Sequence, residues 1–126
     1  MAKKIIKTEN APSPIGPYSQ GIRVGNLFFV SGQGPIDPKT GKKVLGGIAE
    51  QTRQTLENIK SILEAAGLNL DNVVRTSVFL RDIKNFEAMN QVYSMFFNSN
   101  PPARTTIQAV PPGDTEIEID VIAYIE

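Results

Sequence analysis

Cysteine and histidine are both absent from this chain of 126 residues. Without cysteine there is no disulfide, no thiolate nucleophile and no cysteine zinc site. Without histidine there is no Ser-His-Asp triad, no imidazole base and no histidine metal cluster. Acid–base work near neutral pH therefore falls to Asp, Glu, Lys, Tyr or the backbone. A surplus of charge is missing too, since 13 Lys and Arg residues balance 13 Asp and Glu residues. That excludes the general attraction to nucleic acid or anionic membrane of a basic protein and leaves only a local basic patch. Long apolar runs are also lacking. Met1 to Asn10 holds Ile5-Ile6 as its one apolar pair, and nothing approaches a membrane span. The expected location is the cytoplasm, with no membrane partner.

What is present is ordinary for a globular chain: 40% hydrophobic and 21% charged residues. A chain of this length buries roughly two thirds of its unfolded surface, so one core is feasible without staples. No composition break, repeat or low-complexity tract divides it, and a single domain over 1–126 is expected.

Two helices are predicted. Ile48, Thr52, Leu56, Ile59, Leu63 and Ala66 recur at steps of three and four, followed by Gly67 where a left-handed cap is wanted. A second pattern runs from about Ile83 to Phe97, with Phe86, Met89, Tyr93 and Phe96 in register and Asp82 as N-cap. Strands are read at Gly21–Val24 and Leu27–Ser31 around the turn Gly25-Asn26, and at Val73–Leu80. Thr105–Val110 and Glu116–Ile125 read as a hairpin about the Pro111-Pro112-Gly113-Asp114 loop, and Ile5–Thr8 as an edge strand. The order predicts an α+β fold, with two helices on one face of a mixed or largely antiparallel sheet.

In the last strand Ile117, Ile119, Val121, Ala123 and Ile125 fall on one face, opposite Glu116, Glu118 and Asp120. If its hairpin partner has the same parity, Arg104, Thr106, Glu118 and Asp120 share one sheet face. Ile122 and Tyr124 lie on that face too, so a second subunit is expected to cover it. Arg104 is either a bidentate grip for a ligand carboxylate or an ion-pair partner of Glu118 or Asp120. Glu118 is either a general acid–base group, with a pKa open to upward shift by desolvation and by Asp120, or a solvated strand carboxylate. Tyr18 and Ser31 lie beside glycines where a ligand is within reach. Alone, Asn90 is an ordinary polar helix residue. Gly32-Gln33-Gly34 lacks the spacing of a nucleotide-binding loop.

Several segments occur in order that carry a resemblance. They are Ile15-Gly16-Pro17-Tyr18-Ser19-Gln20-Gly21, Ser31-Gly32-Gln33, Pro35 to Gly41, Gln51 to Ile59, Ala65-Ala66-Gly67, Pro102-Ala103-Arg104 and Ile117-Glu118-Ile119. Over essentially its whole length the chain resembles the RidA (YjgF-like) family of reactive intermediate deaminases. The resemblance implies a chorismate-mutase-like fold and a homotrimer with clefts between neighbouring subunits. It implies hydrolysis of 2-enamine and 2-imine acids to 2-keto acids and ammonia, with no metal or organic cofactor. It casts Arg104 as the residue that holds the substrate carboxylate and Glu118 as the residue that activates water. Tyr18, Ser31, Gly32, Asn90 and Thr106 correspond to substrate-binding positions. The chain departs from the family pattern at Gly34, where a larger apolar residue is usual, at Thr106, where many members have cysteine, and at Asp120, where glutamate is common. Two other functions compete with this one. The first is an RNA-acting translation inhibitor or endoribonuclease, for which Lys39, Lys42 and Lys43 would supply a basic patch. The second is a metabolite-binding module without turnover. Zero net charge and the lack of histidine weigh against the ribonuclease.

Overall fold

Periodicity and alternation set the elements close to where they are expected. The structure is a computed structural model and describes residues 2–126. In chain order the strands are β1 (Lys4–Ile6), β2 (Gly21–Val24), β3 (Leu27–Gln33), β4 (Ile36–Asp37) and β5 (Lys42–Lys43). Helix α1 (Ile48–Ala65), β6 (Val73–Leu80), α2 (Phe86–Phe96), β7 (Ala103–Gln108) and β8 (Ile117–Tyr124) follow. Six strands form one sheet in the order β1-β2-β3-β8-β6-β7, and β4 pairs with β5 in a small separate ladder.

One face of the sheet is the core. Phe28 and Val30 of β3, Val78 and Leu80 of β6, and Ile117, Ile119, Val121 and Ala123 of β8 are buried there. Leu56, Ile59, Ile62 and Leu63 of α1 and Met89 of α2 pack against them. Burying each large aliphatic side chain contributes about 1.5–3 kcal/mol, so this layer dominates stability. Helix α1 ends as its sequence requires. Gly67 takes φ +76°, its N–H bonds Glu64 O, and Leu68 N–H bonds Leu63 O, both at 2.9 Å. Asp82 does cap, accepting from Lys84 N at 2.9 Å. It caps a 3-10 turn over Ile83–Asn85, so α2 begins one turn later than expected.

Two expectations are corrected. β7 and β8 do not form a hairpin, because β6 lies between them. β6 pairs with β8 antiparallel and with β7 in parallel. Val73–Leu80 is rich in β-branched residues and buries Val73, Thr76, Val78 and Leu80, so it is best placed with ladder bonds on both edges, and α2 provides the crossover that a parallel pair needs. The segment after β7 passes over the end of β6, where Ala109 N–H bonds Leu80 O and Arg81 N–H bonds Glu116 O.

The second correction concerns α1, whose inner face is more polar than its apolar stripe suggests. Gln51, Thr52, Thr55 and Asn58 are buried as well. Asn58 Nδ2 donates to Gly34 O at 3.1 Å and to Ile36 O at 2.8 Å, while its Oδ1 accepts from Gln54 Nε2 at 2.9 Å. Gln51 Oε1 accepts from Glu116 N at 2.8 Å. These amides satisfy irregular backbone that has no ladder partner. Asn58→Ala strands two carbonyls, each at a cost of about 1–3 kcal/mol, and is expected to lower unfolding free energy by about 2–4 kcal/mol in urea titration. A loss within the noise of that titration would show that the loop does not depend on Asn58.

Candidate functional site

The charged candidate side chains, Glu118 and Arg104, hang on β8 and β7, and the sheet register decides where each one points. On β8 the inward residues Ile117, Ile119 and Val121 alternate with Glu118 and Asp120, which therefore face away from the helices. Val78 of β6 pairs with Ile119 on one side and with Thr106 on the other. Likewise Thr76 pairs with Val121 and with Arg104. Arg104 and Thr106 thus lie on the helix side, and Glu118 and Asp120 lie on the opposite side. The expectation that all four share one face fails, because β7 takes its parity from β6 and not from β8.

On the outer side, Glu118 lines a cavity of about 430 Å³ together with Tyr18, Gly32, Gly34, Ile36 and Pro112. A bulge makes this space. Val30 pairs with Val121 and Gln33 with Ile119, so β3 carries one extra residue at Ser31-Gly32. A Cβ at Gly32 would stand 2.6 Å from Glu118 Oε2 and would push that carboxylate aside. Burial, and after it the charge of Asp120, pushes the Glu118 carboxyl above its ordinary 4.5. Tyr18 also faces the cavity, its hydroxyl accepting from Ile15 N at 3.3 Å. Ser31 is not among the lining residues. Its hydroxyl donates to Ser19 O at 2.6 Å and so holds the segment that carries Tyr18. At the rim, Asp114 stands at φ +54° and is held by Arg81 and by Lys43, whose Nζ donates to Asp114 O at 2.9 Å. The hydrogen bond from Arg81 holds the Asp114 carboxyl below its usual range.

On the helix side, the Arg104 guanidinium lies 4.7 Å from the centroid of the Tyr93 ring and 5.4 Å from that of Phe86. Phe86, Asn90 and Tyr93 follow each other at helical spacing on α2, and together they make a shelf beneath Arg104. Neither Glu118 nor Asp120 pairs with Arg104; among the described residues the salt bridges are those of Asp114. The ion-pair alternative for Arg104 is therefore set aside. Two buried oxygens of this half, Asn90 Oδ1 and Thr106 Oγ1, have no hydrogen-bond partner. The hydroxyls of Thr52 and Thr55 on α1 share that condition, which is uncommon for buried polar atoms. Tyr93 was read from sequence as a core residue. It is also the hydrogen-bond partner of Thr76, at 2.8 Å, and burial pushes its phenol up. The i, i+4, i+7 spacing puts Phe86, Asn90 and Tyr93 on one face of α2, a pattern that a core stripe shares.

The structure thus brings Tyr18, Gly32 and Glu118 together on one side, and Arg104, Asn90 and Thr106 on the other. Among the described residues no group of three or more acidic, His or Cys side chains is placed to hold a metal ion. No helix among them is long and apolar enough to cross a membrane.

Comparison with known proteins adds a family to this geometry. Residues 8–125 match the family model described as Endoribonuclease L-PSP. A RutC family protein of Pyrococcus horikoshii is 54% identical over 98% of this chain and 99% of its own. The 2-iminobutanoate/2-iminopropanoate deaminase of Escherichia coli K12 is 47% identical over 95% of this chain and 96% of its own. The crystal structure of the YjgF gene product of E. coli superposes with a TM-score of 0.93 at 46% identity, covering 98% of this chain and 99% of that one.

The shelf beneath Arg104 is open to a direct test. Tyr93→Phe keeps the ring and removes only the hydroxyl that meets Thr76, at an expected cost of about 1–2 kcal/mol in urea unfolding. Tyr93→Leu loses ring and hydroxyl together and is expected to cost about 3–5 kcal/mol. Equal losses in the two variants would mean that the ring contributes nothing beyond its hydroxyl.

Proposed function

The chain belongs to the RidA (YjgF-like) family, and on that premise we propose that it hydrolyses 2-imine acids, and the enamines that tautomerise to them, to 2-keto acids and ammonia. The observation that carries this reading is the division of the site. A cation free of carboxylate partners stands on one face of the sheet, and a half-buried carboxylate beside a cavity stands on the other. No single chain closes these halves on each other. A homotrimer does, if Arg104, Asn90 and Thr106 of one subunit meet Tyr18, Gly32 and Glu118 of the next. The outer sheet face supports such an assembly. Leu27, Phe29, Ile107 and Tyr124 on it are each 40–47% exposed, an apolar surface suited to burial against another copy.

In the assembled cleft Arg104 grips the substrate carboxylate through its planar fork, a charge-assisted contact of about 1.5–3 kcal/mol net. The protonated imine carbon is already electrophilic. Glu118 orients a water and accepts one of its protons as the oxygen bonds to carbon and the C=N π pair moves to nitrogen. The carboxyl then passes that proton to the amine. The C–N bond breaks, the hydroxyl oxygen forms the keto group, and the proton it releases leaves on ammonia as ammonium. This chemistry draws on side chains alone, so no metal or organic cofactor is invoked. The relative named as a deaminase, at 47% identity, supports the same reaction.

Ribonuclease action is the second reading, and it rests on the family description. Lys43 is tied to Asp114 and so contributes less to a free basic patch than its sequence position suggests. Cleavage of RNA that persists in Glu118→Gln and in the absence of imine turnover would favour it.

The shared cleft has a distinctive test. Arg104→Ala and Glu118→Gln are each expected to lose most deamination while remaining folded. When the two variants are unfolded together and reassembled in equal amounts, about a quarter of the sites regain an intact Arg104 opposite an intact Glu118. Keto-acid formation in the mixture is expected to recover to that fraction; a mixture as inactive as its components would place both groups in one chain's site. The pH profile gives a second test. Glu118 must be ionised to take a proton from water, and its carboxyl sits above the ordinary 4.5. The acid limb of kcat is expected to have its midpoint above that value, with activity rising as pH rises through it. A midpoint at or below 4.5 would remove Glu118 from the proton transfer.

A further inference from the structure

Two glycines line the cavity beside Glu118, and they are there for different reasons. At Gly32 a Cβ would meet the Glu118 carboxylate at 2.6 Å, so a side chain there would displace the carboxylate. Gly34 has room. A Cβ built on it meets nothing nearer than Ile117 O at 4.0 Å, an ordinary van der Waals distance. Its backbone is not among those with positive φ either. Neither sterics nor torsion demands glycine at 34, so its missing side chain is simply volume left in the cavity. In the single chain, before a neighbouring subunit covers it, that cavity measures about 430 Å³, within the range of about 300–1,000 Å³ usual for ligand sites. Its lining is mostly apolar, with Ile15, Ile36 and Pro112 among it, and among the described residues Glu118 is its only charged side chain. The wall that carries Gly34 is also held in place, since Asn58 bonds Gly34 O and Ile36 O. The space is therefore part of a fixed wall.

We propose that this site accepts 2-imino acids with branched or aromatic side chains, and that Gly34 is the specificity-determining residue that leaves room for them. The proposal rests on the deaminase reading above and adds to it the class of side chain. With the carboxylate on Arg104 and the imine carbon beside Glu118, the substrate's side chain extends along the cavity past position 34. A methyl side chain leaves that apolar space unfilled. An isobutyl or benzyl side chain fills it, and each methylene placed in a fitted apolar pocket changes specificity about tenfold or more.

The test uses the assembled protein and imines generated in place by an amino-acid oxidase from alanine, leucine and phenylalanine, with keto-acid appearance timed. For the unaltered protein, kcat/KM with the isobutyl and benzyl imines is expected to equal or exceed that with the methyl imine. A tenfold preference for the methyl imine overturns the proposal whatever the variants do. In Gly34→Leu the isobutyl-to-methyl ratio of kcat/KM is expected to fall by about tenfold or more, and in Gly34→Ala by a smaller factor. Gly34→Ala adds only the Cβ that the structure accommodates, so it reports even if the larger variant fails to assemble. A ratio unmoved in Gly34→Ala and in any assembled Gly34→Leu overturns the proposal. Failure of the deaminase reading looks different: the unaltered protein then speeds the hydrolysis of none of the three imines.

Discussion

The register of β8 is the constraint on which the rest depends. β8 is hydrogen-bonded along both edges, to β3 and to β6, and Ile117, Ile119, Val121 and Ala123 are sealed beneath the helices. A slip of one residue would expose all four and drive Glu118 and Asp120 into the core. That alternative is prohibitive, because a buried unpaired carboxylate costs several kcal/mol and the exposed apolar residues forfeit their burial as well. Glu118 is thus held on a rigid central strand, at a fixed height and facing a fixed side. The bulge at Ser31-Gly32 then provides the one thing a regular ladder cannot, namely room beside the carboxylate.

From that register follows the division of the site. β7 joins the sheet through β6, so its inward set is Arg104 and Thr106. A cation over the rings of Tyr93 and Phe86 keeps its planar orientation without a carboxylate partner. This leaves the fork of Arg104 free for an external anion. Had Arg104 paired with Glu118 within one chain, its guanidinium fork would have been occupied and closed to an external anion. Separation by the sheet keeps the two groups from pairing within one chain.

Much of the fold was legible because periodic signals are local. The β2–β3 hairpin, the bounds of β6, the cap at Gly67 and the buried parity of β8 all follow from spacing alone. The pairing of β7 was not legible, since partner choice depends on which strand needs two neighbours, a property of the whole sheet. One consequence is that Arg104 and Glu118 stand out by residue type alone, while the shared face expected of them rests on a hairpin that does not form. The family resemblance implies their roles, and the backbone register sets their separation. The shelf of Phe86, Asn90 and Tyr93 was hidden because its aromatic residues also satisfy a core stripe, and nothing in their spacing tells a ring that packs inward from one that carries a cation.

The buried amides of α1 show why the core is not wholly apolar. The cavity needs irregular backbone, because a regular ladder would fill the space beside Glu118. Irregular backbone brings unpaired carbonyls and N–H groups against the core, where water is excluded. An aliphatic residue at position 58 would pack well and leave Gly34 O and Ile36 O stranded, whereas asparagine binds both. Gln51 does the same for Glu116 N, two residues before Glu118. Two side chains about two turns apart on one helix therefore hold the backbone next to the cavity from beneath. The polar cost inside the core is the condition for an open, rigid space on the far side of the sheet. A fold selected for stability alone would have no physical reason to keep it.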